Sequence, residues 1–150
     1  MRISTKGEYG LRAMLDLALH YGEGPISLRT IAERQDISDH YLEQLMASLR
    51  KAGLVTSVRG AQGGYQLAKD PQQMTVGEVI RVLEGPISPM ACVDEDDSEP
   101  CRQQEGCATR ELWKRLRDSM TDVLDSTTLE DLKQRALAMN SGADSFMYHI

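Results

Sequence analysis

The feature that most restricts the fold is a pair of short helical patterns followed at once by a glycine-rich hairpin. Ser27 and Ser38 can each accept a hydrogen bond from a free amide of a first helical turn, so each predicts a helix start. Asp36-Ile37-Ser38 is typical of the turn between the two helices. A strand pattern at 54–59 then leads into Gly60-Ala61-Gln62-Gly63-Gly64, after which the chain returns. This order of elements predicts a winged helix-turn-helix.

The rest of the chain is mainly helical by pattern. Apolar residues at spacings of three and four predict an amphipathic helix from Glu8 to about Tyr21. Thr75 and Glu78 form the sequence signature of a capping box, and the helix that they start ends at Gly85-Pro86. Periodicity resumes after Cys107 for about four turns, and Thr128 starts a last helix that runs to about Met139. The fold class is therefore expected to be mainly α, with a small β-hairpin wing.

Composition along the chain divides it into four parts. We predict a winged helix-turn-helix domain at 1–86, a cysteine-containing loop at 87–107, helices at 108–139 and a tail without a pattern at 140–150. The loop carries acidic residues, two prolines and no apolar periodicity. A loop of this length in a compact chain usually has a function or is disordered. A solvated acidic linker that only keeps the chain soluble is the alternative.

The charge is unevenly distributed. The net charge is −6, which by itself disfavours binding to nucleic acid, but residues 1–70 carry 9 Lys/Arg and 8 Asp/Glu, whereas residues 71–150 carry 8 and 15. Between Tyr41 and Lys69 four basic residues face one glutamate. A DNA-facing element is therefore expected in that segment.

The second helix of the pair carries the candidate base-reading residues. Its polar N-terminal side chains lie off the apolar stripe, as in a recognition helix that enters the major groove; they are Ser38, Asp39, His40, Glu43 and Gln44. Arg50 and Lys51 suit phosphates, and Arg59 at the wing tip suits the minor groove. An ordinary solvated helix face and a turn that merely needs glycine are the alternatives.

Three cysteines, Cys92, Cys101 and Cys107, lie in one short window with the spacing C-x8-C-x5-C. An odd number of cysteines cannot form a closed set of internal disulfides, so an extracellular disulfide framework is disfavoured. The absence of a C-x2-C pair gives structural zinc weak support. A flexible loop can wrap three thiolates around one metal centre, so an iron–sulfur cluster is one candidate.

Three motifs also carry a family resemblance: Met1-Arg2-Ile3-Ser4-Thr5-Lys6-Gly7-Glu8-Tyr9, Tyr41-Leu42-Glu43-Gln44-Leu45 and Val58-Arg59-Gly60-Ala61-Gln62-Gly63-Gly64-Tyr65. Together with Val76-Gly77-Glu78-Val79-Ile80 after the wing, they resemble the bacterial winged-helix regulators typified by IscR, a family that also contains NsrR and CymR. The resemblance runs from Met1 to about Leu137, with IscR-like members as the expected nearest relatives. It implies a homodimer on a pseudo-palindromic DNA operator, with the long helix after the cysteines as dimerisation helix.

The resemblance also assigns residues. It implies that Glu43, Gln44 and Arg59 contact bases or the groove, and that His40 stands where IscR has serine. It implies that Cys92, Cys101 and Cys107 hold an iron–sulfur cluster, with 2Fe–2S favoured over 4Fe–4S. Arg110 stands where IscR has a ligating histidine, and arginine cannot ligate. Relatives such as NsrR use a carboxylate donated by the partner subunit, and that position is Glu8 here; His40, His149 and the loop carboxylates stay open as fourth ligands.

The resulting expectation is a cytoplasmic transcriptional repressor of iron–sulfur cluster biogenesis genes whose DNA affinity depends on a cluster. The alternatives within the family are a nitric-oxide or redox sensor and a cluster-free regulator that acts through a partner protein. An enzyme is not expected, because no nucleophile–base or paired-carboxylate pattern accompanies a predicted pocket. No signal-peptide pattern and no run of 18 apolar residues occurs in the sequence, so neither secretion nor a membrane partner is expected.

Overall fold

A computed structural model describes residues 2–95 and 106–148, with side chains described up to residue 141. Six helices and one hairpin make up this part of the chain: α1 (Thr5–Leu19), α2 (Leu28–Gln35), α3 (Asp39–Lys51), β1 (Val55–Val58), β2 (Gly64–Leu67), α4 (Val76–Glu84), α5 (Ala108–Ser126) and α6 (Leu129–Tyr148). Short 3-10 turns lie at Pro71–Gln73 and Ala91–Val93. The expected mainly helical winged helix-turn-helix is confirmed.

The starts of α2, α3 and α4 are those that the sequence predicts, whereas α1 begins at Thr5 rather than at Glu8. Ser27 accepts a hydrogen bond from the amide of Thr30 at 3.1 Å, and Ser38 accepts one from the amide of Tyr41 at 3.2 Å. The capping box of α4 is complete, because Thr75 accepts from the amide of Glu78 and the Glu78 carboxylate accepts from the amide of Thr75. Such caps satisfy backbone donors that have no partner inside the helix.

The main core lies between the first four helices and the base of the hairpin. Its fully buried large side chains include Met14, Leu17, Ile31, Leu42, Met46, Leu49 and Val79. Removing a leucine or methionine side chain of this kind from water contributes about 1.5–3 kcal/mol to folding. The apolar stripe of α3 is thus buried in the core, and the opposite face of this helix lies at the surface.

The hairpin is held against the helices by a third short segment. Val58 pairs with Gly64 at the tip end of the ladder, and Ile26 pairs with Tyr65 in an isolated antiparallel bridge. A Cβ added at Gly64 would collide with the carbonyl of Ile26, and this glycine also has φ +154°. Glycine is required there because the wing backbone approaches the α1–α2 connection so closely.

The last two helices differ in how they pack. None of the residues of α5 is buried, although Met120 and Leu124 pack on a small second cluster of Val76, Ile80 and Ile87. By contrast, α6 begins inside the main core with Leu129, which is completely buried. The sequence predicts an end of this helix near Met139, but it continues to Tyr148, so most of the expected tail is helical.

Among the described residues, no helix is both long and apolar enough to span a membrane.

Candidate DNA-reading surface and cysteine segment

The N-terminal half of α3 presents polar side chains at the surface. Ser38, His40, Glu43 and Gln44 are all exposed, whereas the neighbouring Leu42 and Leu45 are buried. Because the Ser38 hydroxyl already accepts the capping hydrogen bond, its O–H donor and one remaining lone pair are available to a base. The fold therefore leaves the predicted base-reading residues accessible on one short stretch of helix.

Two of these residues contact each other. The Nε2 atoms of His40 and Gln44, one helical turn apart, are 3.2 Å from each other. In the tautomer with an unprotonated Nε2, His40 accepts a hydrogen bond from the Gln44 amide. This bond orients the Gln44 side chain and leaves its carbonyl oxygen and its second N–H for another partner.

The basic candidates lie at the far end of α3 and on the wing. Arg50, Lys51 and Arg59 are exposed. Arg50 donates to the hydroxyl of Ser57 at 3.4 Å, which joins the end of α3 to β1. Arg59 follows β1 directly, and the amide of Gly63 closes the tip by donating to the carbonyl of Gly60 at 3.0 Å. The three basic side chains are therefore accessible to an anion at the surface.

Contacts that the sequence analysis did not single out hold α1, α2 and α3 together. Thr5 and Tyr41 hydroxyls are 3.2 Å apart, and the Tyr9 and Tyr41 rings meet edge to face. Asp16 on α1 is only 3% exposed, and its carboxylate accepts from Arg34 at 2.8 Å and from Gln35 at 3.0 Å. The sequence did contain a signal for these contacts, because Asp16 lies at a buried position of α1 and a buried carboxylate requires hydrogen-bond or charged partners.

The cysteine segment is described in two pieces. Cys92 is half-buried in the short turn Ala91–Val93, and Cys107 is half-buried at the N-cap of α5. Cys101 lies outside the described residues. The Arg117 guanidinium donates to the carbonyl of Val93 at 3.1 Å, so the Cys92 turn is attached to α5, the helix that Cys107 begins.

The surroundings of Cys107 favour its thiolate. The pKa of this thiol is lowered, first by a hydrogen bond with the Thr109 hydroxyl and then by the backbone N–H of Arg110. The positive charge of Arg110 acts in the same direction, and Arg110 Nε is buried without a hydrogen-bond partner among the described residues. Because metals bind the thiolate form, the chemistry of Cys107 fits a metal ligand.

The described residues of this one chain do not form a complete ligand set. Within residues 2–95 and 106–141, whose side chains the structure describes, no group of three or more His, Cys, Asp or Glu side chains is close enough to hold a metal ion. Glu8 is exposed in the first turn of α1, consistent with an acidic residue that favours a helix N-terminus. The proposed roles of Cys101 and of a partner subunit's carboxylate therefore stay predictions.

Comparison with known proteins identifies the family. A family model described as "Rrf2: Iron-dependent Transcriptional regulator" matches residues 3–135. The HTH-type transcriptional regulator CymR of Bacillus subtilis is 52% identical over 150 residues, all of both chains. The HTH-type transcriptional regulator IscR of Pectobacterium atrosepticum is 44% identical over 140 residues, which are 93% of this chain and 84% of that one. CymR is thus the more similar of these two, whereas the sequence motifs predict IscR-like members as the nearest relatives.

Solved structures agree with these sequence relatives. The structure of CymR, the global cysteine regulator of B. subtilis, superposes with a TM-score of 0.79 at 54% identity and covers 90% of this chain and 98% of its own. The T. potens IscR structure gives a TM-score of 0.75 at 51% identity, with 91% and 88% covered. The relatives are DNA-binding regulators rather than enzymes, as expected. The chain belongs to the Rrf2 family of transcriptional regulators.

Proposed function

We propose that this protein is a cytoplasmic, homodimeric repressor that binds a DNA operator and whose DNA affinity depends on the chemical state of its cysteine segment. The observation that carries the DNA-binding part is the exposed polar N-terminus of α3 beside an exposed wing arginine. In this arrangement Glu43 and Gln44 read bases in the major groove, and Arg59 enters the minor groove. Arg50 and Lys51 contact phosphates and supply affinity without sequence preference.

The exposed face of α5 supports the dimer. Leu112 is 52% exposed and Val123 is 64% exposed, and by helical spacing both lie on the same face as the half-buried Leu116. Apolar side chains exposed in a row along a helix mark a contact surface. A second copy of the chain paired through this face would present two recognition helices to two half-sites about 34 Å apart.

An iron–sulfur cluster is the first candidate for the controlling group. It is supported by the lowered pKa of the Cys107 thiol and by the attachment of the Cys92 turn to α5. In this candidate Cys92, Cys101 and Cys107 bind a 2Fe–2S cluster, Glu8 of a partner subunit is the first fourth ligand to test, and the targets are iron–sulfur biogenesis genes. When bound, the cluster would supply a centre that can be oxidised or lost.

Thiol-based regulation without a cluster is the second candidate. The full-length 52% identity to CymR and the structure described as the global cysteine regulator favour it. Arg110 favours it as well, because an arginine at this position cannot ligate a metal and instead stabilises the neighbouring thiolate. In this candidate the cysteines react with an oxidant or with nitric oxide, or a partner protein binds the cysteine segment.

One experiment separates the two candidates. The protein is purified without oxygen, and its absorption spectrum and its iron and sulfide contents are measured before and after incubation with ferrous iron and sulfide. Operator affinity is then measured for the metal-free, the iron-treated and the N-ethylmaleimide-treated protein. Coloured protein with a changed operator affinity supports the cluster. Colourless, iron-free protein whose affinity changes only on thiol blocking refutes it and supports thiol regulation.

A substitution tests the DNA-binding part separately. Arg59→Ala should weaken operator binding by about 1–3 kcal/mol, as expected for a lost groove contact. Gln62→Ala, an exposed change in the same wing tip, is the matched control. Full operator affinity of Arg59→Ala would remove Arg59 from the contact surface.

A further inference from the structure

Arg81 on α4 holds two carboxylates from two distant parts of the chain. Its Nε and Nη2 donate to the Glu95 carboxylate at 3.1 and 2.7 Å, and its Nη1 and Nη2 donate to the Asp125 carboxylate at 2.6 and 2.9 Å. The three side chains are only 24–40% exposed. Two bidentate, charge-assisted pairs on one guanidinium are geometrically specific, and a lysine ammonium cannot reproduce them.

The first carboxylate belongs to the cysteine segment. Glu95 lies three residues after Cys92, and its Oε2 also accepts from the amide of Ile87 at 3.0 Å. Val93, which directly follows Cys92, is 1% exposed, and its carbonyl accepts a hydrogen bond from Arg117. The Cys92 turn is therefore fastened at two points, to α4 through Glu95 and to α5 through Val93.

The second carboxylate belongs to the end of α5 and approaches α4 through a glycine. A Cβ added at Gly77 would collide with the Asp125 carboxylate and would lie 2.9 Å from Arg81 Nη1. An added Cβ would push the Asp125 carboxylate away from its place beside Arg81, so Gly77 in the Val76-Gly77-Glu78 motif favours the contact between α4 and α5. Arg81 consequently joins three elements at one point.

The helix that carries Arg81 is also part of the DNA-binding core. Val79 and Leu83 of α4 are buried in the cluster that contains Leu42 and Leu45 of α3. The same helix packs against α1 through Leu83 beside Gly10. A displacement of α4 would therefore displace the recognition helix α3 as well, because close-packed side chains transmit strain.

We propose that Arg81 is a positioning residue that couples the cysteine segment to both the recognition helix and α5. A change at Cys92 alters the placement of Glu95, and Arg81 passes this change to α4 and to the end of α5. Loss of Arg81 leaves the segment and the DNA-binding core able to change independently. This inference rests on the proposed function, because it requires that the cysteine segment controls operator affinity.

The test compares operator affinity between cysteine states in the full-length protein. The two treatments are N-ethylmaleimide and anaerobic incubation with ferrous iron and sulfide, each set against the untreated reduced protein. A coupled wild type should change its affinity by about 5- to 150-fold with at least one treatment. In Arg81→Lys and in Glu95→Gln the same treatment should change it by less than about twofold, since the coupling energy is lost.

Controls separate coupling from simple stability. Asp94→Asn neutralises the neighbouring carboxylate and should keep the wild-type ratio. Thermal unfolding of each variant shows whether it folds, and Glu95→Gln retains an acceptor for the Ile87 amide if Arg81→Lys does not fold. A purely structural ion pair would lower the unfolding temperature but keep the ratio, which would overturn the inference. A wild type whose affinity responds to neither treatment would instead refute the regulatory part of the proposed function.

Discussion

At the N-terminus of α3, the His40–Gln44 hydrogen bond determines how the Gln44 amide is presented. Glutamine discriminates adenine by pairing with it through both its carbonyl and its amide, which requires a fixed orientation. His40→Ala should therefore weaken the preference for adenine over other bases at the position that Gln44 contacts. The loss should be part of the roughly 1–3 kcal/mol that a bidentate contact provides. Binding constants for operators changed one base pair at a time measure this effect.

The matched control for His40 is Ala47→Ser, an exposed change farther along the same helix. It should leave the base preference of the wild type unchanged. If His40→Ala keeps the same preference at every operator position, the hydrogen bond has no part in reading sequence.

The thiol of Cys107 provides a second prediction for a single residue. Its pKa is lowered mainly by the hydrogen bond with the Thr109 hydroxyl, so Thr109→Val should raise the pKa towards that of an ordinary thiol. In metal-free protein with Cys92→Ser and Cys101→Ser, the alkylation rate with iodoacetamide measured against pH reports this pKa. The rate profile should move to higher pH.

Ser119→Ala is the control for Thr109→Val, because it removes an exposed hydroxyl from the same helix away from the thiol. Its alkylation profile should coincide with that of the parent protein. Coincidence of the Thr109→Val profile with the parent would show that the hydroxyl does not stabilise the thiolate.

At the scale of the elements, α5 exposes apolar side chains and has no buried residue. Its exposed Val123 lies on the face that we assign to the dimer, so Val123→Asp should place a charge in an apolar contact and shift the protein towards the monomer. Sedimentation equilibrium measures the change in mass. Operator affinity should fall with it, because a monomer engages only one half-site.

Lys114→Glu is the control for Val123→Asp, since helical spacing puts Lys114 on the opposite face of α5. It should leave the dimer intact. A dimer that forms equally well with Val123→Asp would exclude this face as the contact.

For the molecule as a whole, the Arg81 cluster links stability to pH. The pKa values of Glu95 and Asp125 are lowered in the folded protein, chiefly by their hydrogen bonds to Arg81. A lowered folded-state pKa stabilises the protein above the unfolded-state value, near pH 4, and this stabilisation disappears as the pH falls through the folded-state value. Glu95→Gln should therefore destabilise the protein at pH 7 and have less effect in acid.

Urea unfolding of the wild type and of Glu95→Gln at a series of pH values measures this difference. Asp94→Asn again serves as the control, because the Asp94 side chain makes no hydrogen bond to another described residue. A free-energy difference between wild type and Glu95→Gln that does not change with pH would contradict the linkage.

The features that local sequence determines are the helix caps, the turn between α2 and α3 and the glycine-rich wing. Each depends on a few neighbouring residues: Ser38 needs only the amide three positions later, and the turn needs only Asp36 with its left-handed φ of 53°. The exposed position of Glu43 and Gln44 follows in the same way from the period of the α3 stripe. For these reasons the fold and the exposed polar face of α3 could be predicted from the sequence, whereas the role of that face in reading DNA stays a prediction.

The tertiary structure alone decided which distant residues meet. Arg81 contacts partners 14 and 44 positions away, and the buried Asp16 finds Arg34 on another helix. No periodicity specifies such pairs, because they depend on how whole helices are placed against each other. The sequence by itself thus determined a winged helix with a cysteine segment, whereas packing decided that the segment is attached to α4 through Arg81 and to α5 through Arg117.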